Sequence, residues 1–138
     1  MDKQPFEHPT RPAALVVDDE PLILMDIADI ISDEGYGVTE AASAEEAYQI
    51  LVEHSDFELV FTDVQTGGPI DGLKLVREVS RRWPHICVVV ASGATRPRPG
   101  DLPDEAVFLR KPISAALVHK VILERCRSKA GGNPREGI

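Results

Sequence analysis

Cysteine is scarce in this 138-residue chain: two occur, Cys87 inside an apolar run and Cys126 in a late helical pattern. Two are too few for a disulfide framework and their spacing is not that of a zinc site, so a reducing cytoplasm is the expected location. Long apolar runs are missing as well. Nowhere do about 20 apolar residues follow one another as a membrane span requires, and the opening MDKQPFEHPTRP lacks the apolar stretch of a secretory signal. Positive charge is outnumbered, with 15 Lys and Arg against 23 Asp and Glu and a net charge of -8. That balance speaks against a general electrostatic grip on nucleic acid or on an anionic membrane. Neither GxGxxG nor GxxxxGK[ST] occurs, which leaves nucleotide binding without a motif. His8, His54, His85 and His119 have no metal-ligand or triad spacing and read as ordinary surface or core residues.

What is present fits one domain of ordinary size. Residues 1–12 carry Pro5, Pro9 and Pro12, and residues 128–138 are glycine-rich without apolar periodicity, so both ends are expected to be loose tails around a domain spanning 13–127. Within it, short apolar runs at Ala13 to Val17, Gly37 to Glu40, Leu59 to Thr62, Ile86 to Ala91 and Ala106 to Leu109 read as strands covered on both faces. Amphipathic segments alternate with them. The first starts at Pro21 and stops near Gly35. The second opens with SAEE, where Ser43 and Glu46 form a capping box. The third presents Leu73, Val76 and Val79 and ends near Trp83, before Pro84. The last carries Leu117, Val118, Val121 and Ile122. This alternation predicts an α/β fold with a doubly wound, five-stranded parallel sheet and helices on both faces. One connection departs from it: GATRPRPGDLPDE contains Pro97, Pro99, Gly100 and Pro103, so a loop is expected in place of a fourth helix.

The charge is concentrated where the strands end. VVDDEP closes the first run with Asp18 and Asp19, FTD closes the third with Asp63, VVVAS closes the fourth with Ser92, and the fifth ends on Arg110 and Lys111. In a parallel sheet all of these stand at one edge, where open α/β sheets bind ligands. Close carboxylates repel one another and call for a cation among them. Oxygen ligands without His or Cys favour Mg²⁺, with Mn²⁺ as a substitute, and Lys111 supplies charge for a phosphoryl group. A carboxylate such as Asp63 can attack phosphorus directly. Taken singly each piece has a plainer reading. Acids before Pro21 suit a helix start, and Glu20 needs no other role. Asp63 could be a turn residue, Ser92 a strand end and Lys111 a solvated lysine.

The ordered set VVDDEP, FTDV with DG in PIDG, VVVASG and FLRKP resembles the receiver domains of bacterial two-component response regulators, over about Ala13 to Arg125. The resemblance implies a flavodoxin-like receiver fold with Asp63 as phosphoacceptor. Asp19 would bind Mg²⁺ directly, Asp18 through water, and Gln65 through its backbone carbonyl. Ser92 and Lys111 would stabilise the phosphoryl group, and Phe108 would turn inward as Ser92 moves. The Lys111–Pro112 bond resembles the family's cis peptide. Two departures stand out: Thr66 and Gly67 replace the usual Met-Pro after the acceptor, implying weaker Mg²⁺ binding, and the proline-rich segment alters the usual signalling face.

The function so implied is that of a cytoplasmic single-domain regulator, not an enzyme in the ordinary sense. It would accept phosphate from a histidine kinase or phosphotransfer protein and act through an unidentified downstream protein or a phosphorelay, as a monomer or weak dimer. Only about a dozen residues follow Cys126, so no output module is expected. The rival readings are a phosphorylation-independent adaptor and a small magnesium-dependent aspartyl phosphatase. Such phosphatases usually carry a second aspartate two residues after the first, where this chain has Gln65.

Overall fold

Five parallel strands, β1 (Ala13–Val17), β2 (Gly37–Ala41), β3 (Leu59–Asp63), β4 (Cys87–Ser92) and β5 (Val107–Arg110), pair in the order β2-β1-β3-β4-β5. They belong to a computed structural model that describes residues 11–64, 71–93, 98 and 100–127. The progression of strands across the sheet reverses after β2, which places the switch point between β1 and β3. Every residue of β4 is buried, as the unbroken run CVVVAS requires of a strand covered on both faces.

Alternate strand residues feed two separate layers. Val16, Phe61, Val89 and Leu109 pack with Leu24, Ile27 and Ile31 of α1 (Pro21–Asp33) and with Val118 and Val121 of α4 (Ala115–Val121). On the opposite face, Leu15, Val60 and Val88 pack with Ala47 and Leu51 of α2 (Ala44–Glu53) and with Leu75, Val76 and Val79 of α3 (Gly72–Arg82). Leu75, rather than the expected Leu73, is the fully buried leucine of α3, and Leu73 is half-buried. No helix among the described residues is long and apolar enough to cross a membrane.

The helix ends follow their local chemistry. Pro21 opens α1, and Gly35, at φ +99, turns the chain after it. Ser43 Oγ accepts the Glu46 N–H at 3.1 Å, while Glu46 Oε1 accepts from Ala42, one residue before the backbone donor a capping box normally uses. Asp71 caps α3 by accepting the Lys74 N–H at 2.9 Å. Ser114 does the same for α4 through Leu117. The final turn, Ile122–Cys126, is π-helical.

Two features differ from the pattern read in the sequence. Arg11 and Pro12, assigned to the amino-terminal tail, are tied to β2: Gly37 N–H donates to Pro12 O at 2.8 Å and the Arg11 guanidinium to Tyr36 O at 3.0 Å. The other tail residues, 1–10 and 128–138, lie outside the described set. Cys87 and Cys126 form a disulfide between the first residue of β4 and the end of the last helix, with Cα atoms 5.3 Å apart. Sequence distance hid the pair, because only docking of that helix on the sheet brings its end to β4. Between β4 and β5, none of the described residues, 93, 98 and 100–106, is helical. Asp101 N–H donates to Arg98 O, Ala106 N–H to Pro103 O, and the Arg77 side chain to Asp101 O. Residues 94–97 and 99, on which the rest of the loop expectation falls, lie outside the described set.

Candidate functional site at the carboxyl edge of the sheet

The apolar strands β1 and β3 lie side by side, with Val17 opposite Thr62, so the acids that follow or end them emerge together. Carboxylate oxygens of Asp18, Asp19 and Asp63 all lie within 4.8 Å of one another. Asp18 is buried and Asp19 exposed. Asp18 Oδ1 accepts the Glu20 N–H at 2.9 Å, which fixes the carboxylate at the start of α1. Glu20 itself makes no side-chain cap.

Lys111 reaches this cluster from the end of β5. Its Nζ stands 3.0 Å from Asp63 Oδ1 and 3.5 Å from Asp18 Oδ2. The Lys111–Pro112 peptide is cis, and the Lys111 N–H donates to Ser92 O at 3.0 Å. Ser92 is buried on β4, one position beyond Ala91, the partner of Asp63. Phe108 lies half-buried on β5 opposite Val90. Gln65, Thr66 and Gly67 lie outside the described residues, and with them the expected backbone ligand.

Burial raises the Asp63 carboxyl above its ordinary value, the Asp18 charge adds to the rise, and the hydrogen bond and charge of Lys111 offset only part of it. On Lys111 burial acts downward, but the hydrogen bond and charge of Asp63, with the charge of Asp18, outweigh it and hold the ammonium above its usual value. Burial of the carboxylate leads on Asp63, whereas the surrounding negative charge prevails on Lys111. All-oxygen donors with one buried carboxylate suit a hard divalent cation such as Mg²⁺.

Two residues that the strand-end pattern does not single out complete the surroundings. Thr62, fully buried, donates its hydroxyl to Asp63 O at 2.9 Å. Gly72, first residue of α3, packs against that same carbonyl. Its place in the DG pair is the only trace of this in the sequence. Beside Lys111, Ile23, Asp26, Ile27, Pro112 and Ile113 line an open groove of about 450 Å³. Leu22 and Met25 of α1 are also exposed.

Known proteins resemble this chain in sequence and fold. Phyllosphere-induced regulator PhyR of Methylorubrum extorquens is 27% identical over 123 residues, covering 88% of this chain and 46% of its own length. The chain therefore spans less than half of that relative. The receiver domain of NtrX from Brucella abortus superposes with a TM-score of 0.70 at 32% identity, over 82% of this chain and 96% of that domain. A response regulator receiver protein from Sinorhizobium medicae, at 23% identity, matches in fold with a TM-score of 0.82 over 88% of this chain and 98% of its own. The family model of the response regulator receiver domain matches residues 14–122. With the doubly wound sheet and the acidic strand ends already in place, that match makes the chain a member of the response regulator receiver domain family of two-component signal transduction.

Proposed function

We propose that this domain accepts a phosphoryl group on Asp63 from the phosphorylated histidine of a kinase or phosphotransfer protein, in a Mg²⁺-dependent reaction. The observation that carries the proposal is the convergence of Asp63, Asp18 and Lys111 at one edge of the sheet. An Asp63 oxygen attacks phosphorus, the P–N bond to the donor imidazole breaks, and the imidazole nitrogen leaves with its electron pair and takes up a proton. Lys111, held charged by the two carboxylates, moves its attraction from Asp63 to the incoming phosphoryl oxygens. Ser92, at the end of β4, would donate its hydroxyl to the same group. Asp18, Asp19 and Asp63 would hold the ion, with Gln65 as the expected fourth protein ligand; when bound, Mg²⁺ supplies positive charge against the transferred oxygens.

The groove beside Lys111 and the exposed Leu22 and Met25 are the surface on which a donor helix would rest while its histidine faces Asp63. Output follows from protein contacts or onward phosphate transfer, with Ser92 and Phe108 forming the element whose two arrangements phosphorylation biases. Phosphoramidate, which has the P–N bond of the natural donor, tests the reading. Phosphorus NMR is expected to reveal an acyl phosphate that needs Mg²⁺ and is missing in Asp63→Asn. Failure to form that signal at saturating Mg²⁺ would remove the proposal.

A further inference from the structure

Thr62 is the residue before the acceptor, fully buried, and its hydroxyl has an unusual target: the carbonyl oxygen of Asp63 itself, at 2.9 Å. A buried threonine in a strand must place its hydroxyl on some acceptor, and many acceptors would serve. Here the choice bears on one peptide. The other end of that peptide, Val64 N–H, donates to Ala91 O of β4 at 3.0 Å. Its carbonyl also abuts Gly72, where an added Cβ would lie 1.9 Å from Asp63 O and 2.9 Å from Asp63 C. Gly72 N–H donates to Val64 O at 2.7 Å. The peptide after Asp63 is thus gripped by a hydroxyl, by a contact that only glycine permits, and by the neighbouring strand.

The geometry points to Thr62 and Gly72 as positioning residues that fix the Asp63 peptide plane and thereby aim its carboxylate. The direction of Cα–Cβ follows the peptides on either side, and the carboxylate oxygens lie beyond that bond, so rotation of the plane carries the reacting oxygen away from Lys111. A misplacement of about 1 Å at a reacting atom can cost up to about a hundredfold in rate. Thr62 touches neither donor nor metal and acts only through Asp63. This inference rests on the reading of Asp63 as phosphoacceptor.

Four variants test it, each followed by phosphorylation rate at saturating acetyl phosphate and Mg²⁺ and by thermal unfolding. Thr62→Val keeps the shape and removes the donor; it is expected to react about tenfold more slowly than the parent. Thr62→Ser restores the donor and is expected within about twofold of the parent. Gly72→Ala keeps the hydroxyl but pushes on the carbonyl, and it is expected to be slow too. Val60→Ala, a truncation in the same strand layer away from the carbonyl, lowers the unfolding temperature but leaves the rate unchanged. Parent-like rates in folded Thr62→Val and Gly72→Ala, or an equal slowing in Val60→Ala, would overturn the assignment. Amide exchange in metal-free protein gives a readout free of phosphorylation: Val64 N–H is expected to exchange about tenfold faster in Thr62→Val than in Thr62→Ser, with Val60 N–H unchanged. Equal Val64 exchange in the two would also refute the clamp. If the parent takes up no phosphate while this contrast persists, the receiver reading fails and the clamp stands.

Discussion

Lys111 Nζ lies 3.0 Å from Asp63 Oδ1, and the lysine side chain retains only 24% of its exposure. One ammonium thus offsets part of the charge of three clustered carboxylates, sharing itself with Asp18 at 3.5 Å. Lys111→Met removes that offset. Partly buried carboxylates left without their cation should lower stability by about 1–3 kcal/mol, a partial-exposure discount on the cost of breaking a buried pair. Urea unfolding of metal-free protein at neutral pH measures it, and added Mg²⁺ should recover much of the loss.

Asp63→Asn should act in the opposite direction. Because burial raises the Asp63 carboxyl above 3.8, the folded protein binds this proton more tightly than the unfolded chain does. The group therefore favours folding most below about pH 4, and that contribution is lost as pH rises through the raised folded value. Urea midpoints of metal-free parent and variant should diverge from acid toward neutral pH, with the variant the more stable at neutral pH. Curves that stay parallel across this range would argue against a desolvated acceptor.

Mg²⁺ should stabilise the folded domain by mass action. At ten times its dissociation constant the gain is about 1.4 kcal/mol, and chelator should reverse it. Asp18→Asn and Asp19→Asn should each weaken the effect, whereas Glu20→Gln should not, since the Glu20 backbone rather than its carboxylate contacts Asp18. Thermal shift against Mg²⁺ concentration separates these variants.

The Cys87–Cys126 disulfide closes a segment with a sequence separation of 39. On chain-entropy grounds reduction, or Cys126→Ser, should cost about 3–4 kcal/mol. Thiol titration of unfolded, unreduced protein should find no free thiol, and unfolding should begin at the last helix once the bond is cut.

Much of this molecule was readable before folding. β1 and β4 announced themselves because strands covered on both faces run as unbroken apolar stretches, and Pro21, Ser43 and Pro84 punctuate helix boundaries with their own chemistry. The site was readable for a related reason: Asp18, Asp19, Asp63, Ser92 and Lys111 each sit at or just beyond a strand end, and parallel strands bring their ends to one edge. Other features depend on packing that no local pattern encodes. Cys126 meets Cys87 only after the last helix docks, with a π-helical turn at its end. The preference of α3 for Leu75 over Leu73 depends on which of its faces packs on the sheet. The Thr62 hydroxyl could have served several acceptors, and only the bend after β3 directs it to Asp63 O.

Intact mass after incubation with acetyl phosphate and Mg²⁺ tests the central claim most directly. One phosphoryl adduct is expected, stable in acid and labile in base, absent with chelator and absent in Asp63→Asn. A parent chain that stays unmodified, or an adduct that persists when Asp63 is replaced, would contradict phosphoryl transfer to this aspartate.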